Sequence, residues 1–142
     1  KEGKSIEPSF ANKYFDSIGI GIDFTARDLQ QKAKEKGLPW DIAKGFNGSA
    51  PISDTFLPVG HFSDLKNINF KLEVDGKVRQ EGNTSMMLFD FSYIISYLSR
   101  FFTLKTGDLI FTGTPKGVGA VAIGNRLSGY IENEKLLEFE VK

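Results

Sequence analysis

Residues Ser17 to Phe24 alternate, with Ile18, Ile20, Ile22 and Phe24 at every second position and Gly19 and Gly21 between them. A period of two belongs to a strand. The glycines strip one side of that strand of side chains, so another backbone must approach it closely. The pattern then changes. Thr25-Ala-Arg-Asp-Leu-Gln-Gln-Lys-Ala-Lys-Glu-Lys-Gly37 begins on a residue suited to an N-cap and puts Asp28 near the positive helix end. It crowds Lys32, Lys34 and Lys36 into the last turns and stops at Gly37 and Pro39. A strand feeding a short helix is therefore the first fixed unit of the fold.

Downstream, residues 38–69 carry Pro39, Pro51 and Pro58 with scattered glycine and serine, and predict irregular structure. Phe70, Leu72 and Val74 alternate into Asp75-Gly76 and then Val78, which predicts a hairpin. Ile94, Ile95, Leu98, Phe101 and Phe102 recur at helical spacing and predict a buried helix over 92–102. Residues 108–112 read as a strand entering the glycine-rich turn 113–119, and two closing strands are expected near 126–131 and 136–141. The fold class is α+β, mostly β.

Phe supplies 13 of the aromatic residues, which favours strands and a bulky core. A chain of 142 residues suits one domain and is long enough to bury a sizeable core. Lys and Arg number 18 and so do Asp and Glu; that balance argues against a nucleic-acid binder. The absence of cysteine excludes disulfides, thiolate metal sites and cysteine nucleophiles. No apolar run approaches the roughly 18 residues of a membrane span. The chain opens on Lys1-Glu2-Gly3-Lys4 and reads as a sequence joined midway.

The chemistry concentrates at the strand–helix junction. Asp23 ends the strand, while Arg27 and Gln30, three apart, share one helix face. Asp23 is a possible oxygen ligand for a hard divalent cation, and Arg27 a bidentate clamp for a substrate carboxylate. The same spacing also suits a plain Asp23–Arg27 ion pair, and the spacing alone leaves both readings open. Lys44, beside Gly45, either reaches an anionic site or is a solvated surface lysine. Thr114, in Gly113-Thr-Pro-Lys-Gly117, either offers its hydroxyl and amide to a substrate oxygen or stabilises a turn. Neither that turn nor Gly19-Ile-Gly21 completes a nucleotide-binding fingerprint. His61, the one histidine, has no carboxylate pattern near it in sequence and reads as a loop residue.

Five stretches recur in family order: Gly21-Ile-Asp-Phe-Thr-Ala-Arg-Asp-Leu-Gln30, Lys36-Gly-Leu-Pro-Trp40, Ala43-Lys-Gly-Phe46, Val78-Arg-Gln-Glu-Gly-Asn-Thr-Ser85 and Leu109-Ile-Phe-Thr-Gly-Thr-Pro-Lys-Gly-Val-Gly119. Together they resemble the fumarylacetoacetate hydrolase family, nearest to its acylpyruvate hydrolase and oxaloacetate decarboxylase/tautomerase type. The resemblance implies a mixed β-roll with short helices, a Mg²⁺ or Mn²⁺ ion, a small 2-oxo acid substrate and a homodimer. It places Asp23 on the metal-ligand aspartate, Arg27 and Gln30 on substrate-orienting catalytic positions, Lys44 on the active-site lysine and Thr114 beside the substrate. It also implies a Glu-x-Glu ligand pair and an N-terminal lid with a His/Glu dyad. Glu2 and Glu7 do not form that pair, and His61 does not match the lid histidine. Residues 1–142 are accordingly expected to be the C-terminal portion of a single catalytic domain.

The implied reactions are hydrolytic C–C cleavage, decarboxylation or tautomerisation of acylpyruvates or oxaloacetate in a cytoplasmic enzyme. Two other readings are a non-catalytic fold or dimerisation module and a 2-hydroxy-diene-dioate isomerase of aromatic catabolism. No membrane or nucleic-acid partner is implied.

Overall fold

The computed structural model describes residues 1–142. Its frame is a four-stranded sheet in the order β4-β3-β5-β6, with β3 (Asn69–Val74), β4 (Lys77–Asn83), β5 (Arg126–Ile131) and β6 (Glu134–Glu140) antiparallel throughout. The predicted hairpin is present. Asp75 and Gly76 turn it with φ of 51° and 74°, the positive pair that a tight two-residue connection requires. The Asp75 carboxylate also accepts from the Arg126 amide and from Asn125 Nδ2, both at 2.8 Å, which ties the turn to the start of β5. Leu72 opposes Gln80 while Glu73 opposes Val78, so Arg79 is the extra residue of a bulge in β4.

The predicted 17–24 strand is mostly extended ribbon. Only Ser17–Ile18 (β1) pairs regularly, with Leu57–Pro58 (β2), and Gly21 forms an isolated bridge to Ile52. Beyond β1 the Ile22 and Phe24 amides donate to the carbonyls of Pro51 and Ser49, and the Ile20 amide donates to Ser53 Oγ. Opposite the irregular part the partner segment contains Pro51, which cannot donate, and the Ser53 hydroxyl takes one ladder position; regular pairing stops there.

Helix α1 (Arg27–Glu35) follows as expected, but Thr25 is not its cap. Ala26 occupies that position without a side-chain hydrogen bond, and the Thr25 hydroxyl points elsewhere. A one-turn helix, α2 (Asp41–Lys44), lies inside the stretch predicted to be irregular. Helix α3 (Phe91–Ser99) is shorter than predicted and capped by Asp90, whose carboxylate accepts from the Tyr93 amide at 2.8 Å. It is also only half covered. Its buried residues are Ile95, Ser96 and Ser99, against the 3₁₀ turn Pro8–Lys13. Phe89, Tyr93, Tyr97 and Phe101 stack in a ladder along the other face and stay exposed, with ring centroids 4.6, 6.2 and 5.3 Å apart.

Two further expectations are corrected. Residues 108–112 form no strand: from Leu109 to Ala120 no backbone–backbone hydrogen bond is made. The single sizeable core is replaced by two small clusters. One joins Ile6, Ala11 and Ile95; the other joins Leu57, Ile68 and Ile131. Only 17 of 142 residues are buried, and Leu88, Ile123, Phe101 and Phe102 stand out in solvent because no layer of residues 1–142 covers them. No helix is long and apolar enough to cross a membrane.

Candidate active site

The backbone of α2 places the first functional group. The Ala26 amide donates to the Ala43 carbonyl at 3.0 Å, and Ala43 has no exposed surface, so the start of α1 is clamped to the end of α2. Lys44 therefore emerges beside the ribbon's end. Its Nζ donates to Asp23 Oδ2 at 2.6 Å and to Thr25 Oγ1 at 2.8 Å. Lys44 is about one-third exposed, so it is not the freely solvated lysine that its loop context suggests. Asp23 is more than half exposed. An ion pair at that exposure adds little stability, and what the arrangement fixes is position: an ammonium and a carboxylate side by side at a strand end.

Arg27 does not pair with Asp23. Its Nη1 donates to Gln30 Oε1 at 3.0 Å along the first turn of α1, which fixes the guanidinium on an exposed face. The simple Asp23–Arg27 ion pair is thus absent, and Asp23 and Arg27 keep different partners. Thr114 belongs to a third group. Gln80 Nε2 donates both to Thr114 Oγ1 at 2.8 Å and to the Pro115 carbonyl at 2.9 Å. Arg79 Nη2 donates to the Ala120 carbonyl at 3.3 Å, so the bulged end of β4 holds the glycine-rich loop at two points.

Three hydrogen-bonded groups result: Asp23–Lys44–Thr25, Arg27–Gln30 and Thr114–Gln80. No hydrogen bond or ion pair joins them. Thr25 and Gln80 escape the sequence reading. Thr25 is masked by its resemblance to a helix cap, and Gln80 lies inside the 78–85 motif without a charge or nucleophile to single it out. A cavity of about 730 Å³ is lined mostly by apolar residues such as Phe56, Phe70 and Phe111. Thr114 borders it, but Asp23, Arg27, Gln30 and Lys44 do not. The candidate site is defined by those polar groups, of which only Thr114 faces the cavity.

His61 is in a 3₁₀ turn and not in a free loop, and the fold gives it a carboxylate that sequence proximity does not. Its Nε2 lies 3.0 Å from Glu134 Oε1, at the start of β6. As donors to a hard cation, the residues fit one position of a shell. Asp23 Oδ2 is taken by Lys44 and Oδ1 is left without a protein partner. No three His, Asp or Glu side chains converge anywhere in the chain, so the residues of this chain do not close a metal site.

The chain is 43% identical to the mitochondrial oxaloacetate tautomerase FAHD1 of Mus musculus over 142 residues, which is 100% of this chain and 64% of the relative. It is 44% identical over 124 residues to the mitochondrial oxaloacetate decarboxylase of Dictyostelium discoideum, covering 87% of this chain and 56% of that one. The crystal structure of fumarylpyruvate hydrolase from Pseudomonas aeruginosa, in complex with Mn²⁺ and pyruvate, superposes with a TM-score of 0.92. It is 40% identical, and the match covers 99% of this chain and 60% of that one. This chain therefore spans less than two thirds of the length of these relatives. The β-rich roll with short helices is the fold of these neighbours. Residues 1–142 match the fumarylacetoacetate (FAA) hydrolase C-terminal family along their whole length, and the chain belongs to that family.

Proposed function

We propose that the protein containing this chain is a metal-dependent enzyme of small 2-oxo acids, acting on oxaloacetate or acylpyruvates by tautomerisation, decarboxylation or hydrolytic C–C cleavage. The observation that carries the reading is the Asp23–Lys44–Thr25 contact, which sets a carboxylate with a free oxygen beside a fixed ammonium. The names of the relatives support the substrate class. Asp23 would contribute one ligand to a Mg²⁺ or Mn²⁺ ion, which would supply Lewis-acid polarisation of the substrate's carboxylate and oxo oxygens. Arg27, oriented by Gln30, binds the substrate carboxylate. Lys44 holds a positive charge next to the reacting end, and Thr114 offers a hydroxyl to a substrate oxygen.

The test is turnover of oxaloacetate and an acylpyruvate panel by the full-length protein, with and without EDTA. Asp23→Ala is expected to remove the EDTA-sensitive activity. Wild-type turnover in that variant would sink the assignment.

A non-catalytic fold or dimerisation module is the second reading, favoured by the lack of three converging ligands within the chain. Titration calorimetry of the full-length protein with Mn²⁺ distinguishes the two. Stoichiometric binding that is lost in Asp23→Ala supports the enzyme. The homodimer remains a proposal, supported by the uncovered Phe89–Phe101 ladder and measurable by sedimentation. The mouse and Dictyostelium relatives are mitochondrial proteins, so fractionation decides between mitochondrion and cytoplasm for this one.

A further inference from the structure

Thr114 is useful to an anionic substrate only if its hydroxyl proton points outward, and the structure contains the residue that forces this. The Pro115 carbonyl can only accept, so the side-chain amide of Gln80 must turn its NH₂ toward it. The same nitrogen has a second proton, and that proton goes to Thr114 Oγ1 at 2.8 Å. The hydroxyl thereby accepts from Gln80 and has its own proton left to donate away from β4. A hydroxyl in open solvent rotates between donor and acceptor roles, whereas this one is held as a donor before any ligand arrives.

We infer that Gln80 is a positioning residue for substrate binding: it fixes Thr114 as a hydrogen-bond donor to a carboxylate or oxo oxygen of the substrate. The inference rests on the proposed role of Thr114 at the site. It also gives the β4 bulge a purpose. Arg79 takes no partner in β3, and the bulge re-aims the end of β4 so that Arg79 and Gln80 both grip the 113–120 loop.

The test is a double-mutant cycle on the full-length protein with oxaloacetate as substrate. Gln80→Met keeps the side chain's length and removes both donors. It is expected to raise KM roughly tenfold with a smaller change in kcat, since a hydrogen bond to a charged group is at stake. Thr114→Val should raise KM by a similar factor, and adding Gln80→Met to it should change KM by less than about twofold. Additive losses would show a general structural role and overturn the inference.

Gln80→Glu supplies a readout that folding defects do not imitate. At neutral pH the introduced carboxylate accepts the Thr114 proton and turns the hydroxyl inward, so KM should exceed that of Gln80→Met. As pH falls and that carboxyl protonates, KM should drop back toward the wild-type value. A KM profile parallel to wild type overturns the inference. If Thr114→Val is impaired while both Gln80 variants match wild type, the positioning role alone fails. If Thr114→Val matches wild type, the substrate contact of Thr114 fails and the inference with it.

Discussion

Gly117 carries two constraints at once, and its neighbours separate them. Its φ of +99° is a conformation that costs an L-residue about 1–2 kcal/mol. A methyl at its Cα would also overlap the Arg79 carbonyl oxygen and lie 3.3 Å from Gln80 Cγ. That carbonyl is backbone, fixed between Val78 and Gln80, which both pair with β3, and cannot swing aside as a side-chain tip would. Overpacking of this kind costs a further 1–3 kcal/mol or so. Against this stands about 0.4–1 kcal/mol from the reduced freedom of the unfolded chain. Gly117→Ala should therefore destabilise by about 2–4 kcal/mol.

Gly113 has φ +112° with nothing within 4 Å of the added methyl, so Gly113→Ala meets the conformational term alone, about 1 kcal/mol net. Gly119 has no positive φ, and its methyl would meet only the Arg79 guanidinium, 3.1 Å away at the tip of a flexible side chain that need give only slightly; the expected effect is within about 0.5 kcal/mol. Urea unfolding of the three variants measures the series. With a slope of about 2 kcal/mol/M, Gly117→Ala should lower the midpoint by about 1–2 M. If the 113–120 loop escapes the overlap by lifting off β4, stability is spared but the Gln80–Thr114 contact is lost and KM rises. Parity of Gly117→Ala with Gly113→Ala in both midpoint and KM would refute the account of how β4 holds the loop.

Two other perturbations have directions set by the structure. Ser99 is fully buried; its Oγ accepts from the Ile6 amide and donates to the Ser96 carbonyl, both at 2.8 Å. Ser99→Ala strands the buried amide and should cost about 1–3 kcal/mol in urea unfolding, while Ser92→Ala, which removes only a solvent-accessible contact to Asn12, should stay within about 0.5 kcal/mol. Glu73 and Glu138 are held below the usual carboxylate range, chiefly by hydrogen bonds from Lys71 and Lys135 respectively. The unfolded chain then binds more protons at acid pH, so this stabilisation is complete above the ordinary Glu pKa near 4.5 and is lost as pH falls below it. Removing the amines in Lys71→Met/Lys135→Met should flatten the fall of the urea midpoint below that pH. An unchanged slope would contradict the ion-pair account.

What the sequence made legible follows from how local each feature is. The 75–76 turn, the β5–β6 pair and helix α1 depend on neighbours a few residues away, and their patterns predict them. The 17–24 segment has the alternation of a strand and 108–112 the short apolar run of one, but a ladder needs a partner. The partner of the first is interrupted at Pro51 and Ser53, and the second makes no backbone ladder within the chain. Among the site residues, Asp23, Arg27, Gln30 and Lys44 were visible as residue types in motifs. Their pairing was not, because it depends on the Ala26–Ala43 clamp between α1 and α2. Gln80 was hidden by the bulge, which no period-two count contains. The His61–Glu134 contact joins residues 73 apart and leaves no mark in the order of the chain.

The division of labour within the molecule explains why the motifs are legible where the pairing is not. Every candidate substrate or metal contact comes from a segment outside the four-stranded ladder: the end of a broken ribbon, the first turn of α1, the last residue of α2 and a loop without backbone hydrogen bonds. Such segments have little stability of their own and take their conformation from what clamps them. Two clamps are identifiable, Ala26–Ala43 at one group and the β4 bulge at another. The regular sheet reaches the chemistry only through that bulge, where its periodicity fails. A substitution in the ladder should therefore act on stability first, and one at a clamp should act on KM at nearly unchanged stability. Gly117 is where both meet, because its methyl would press on the strand and displace the loop together.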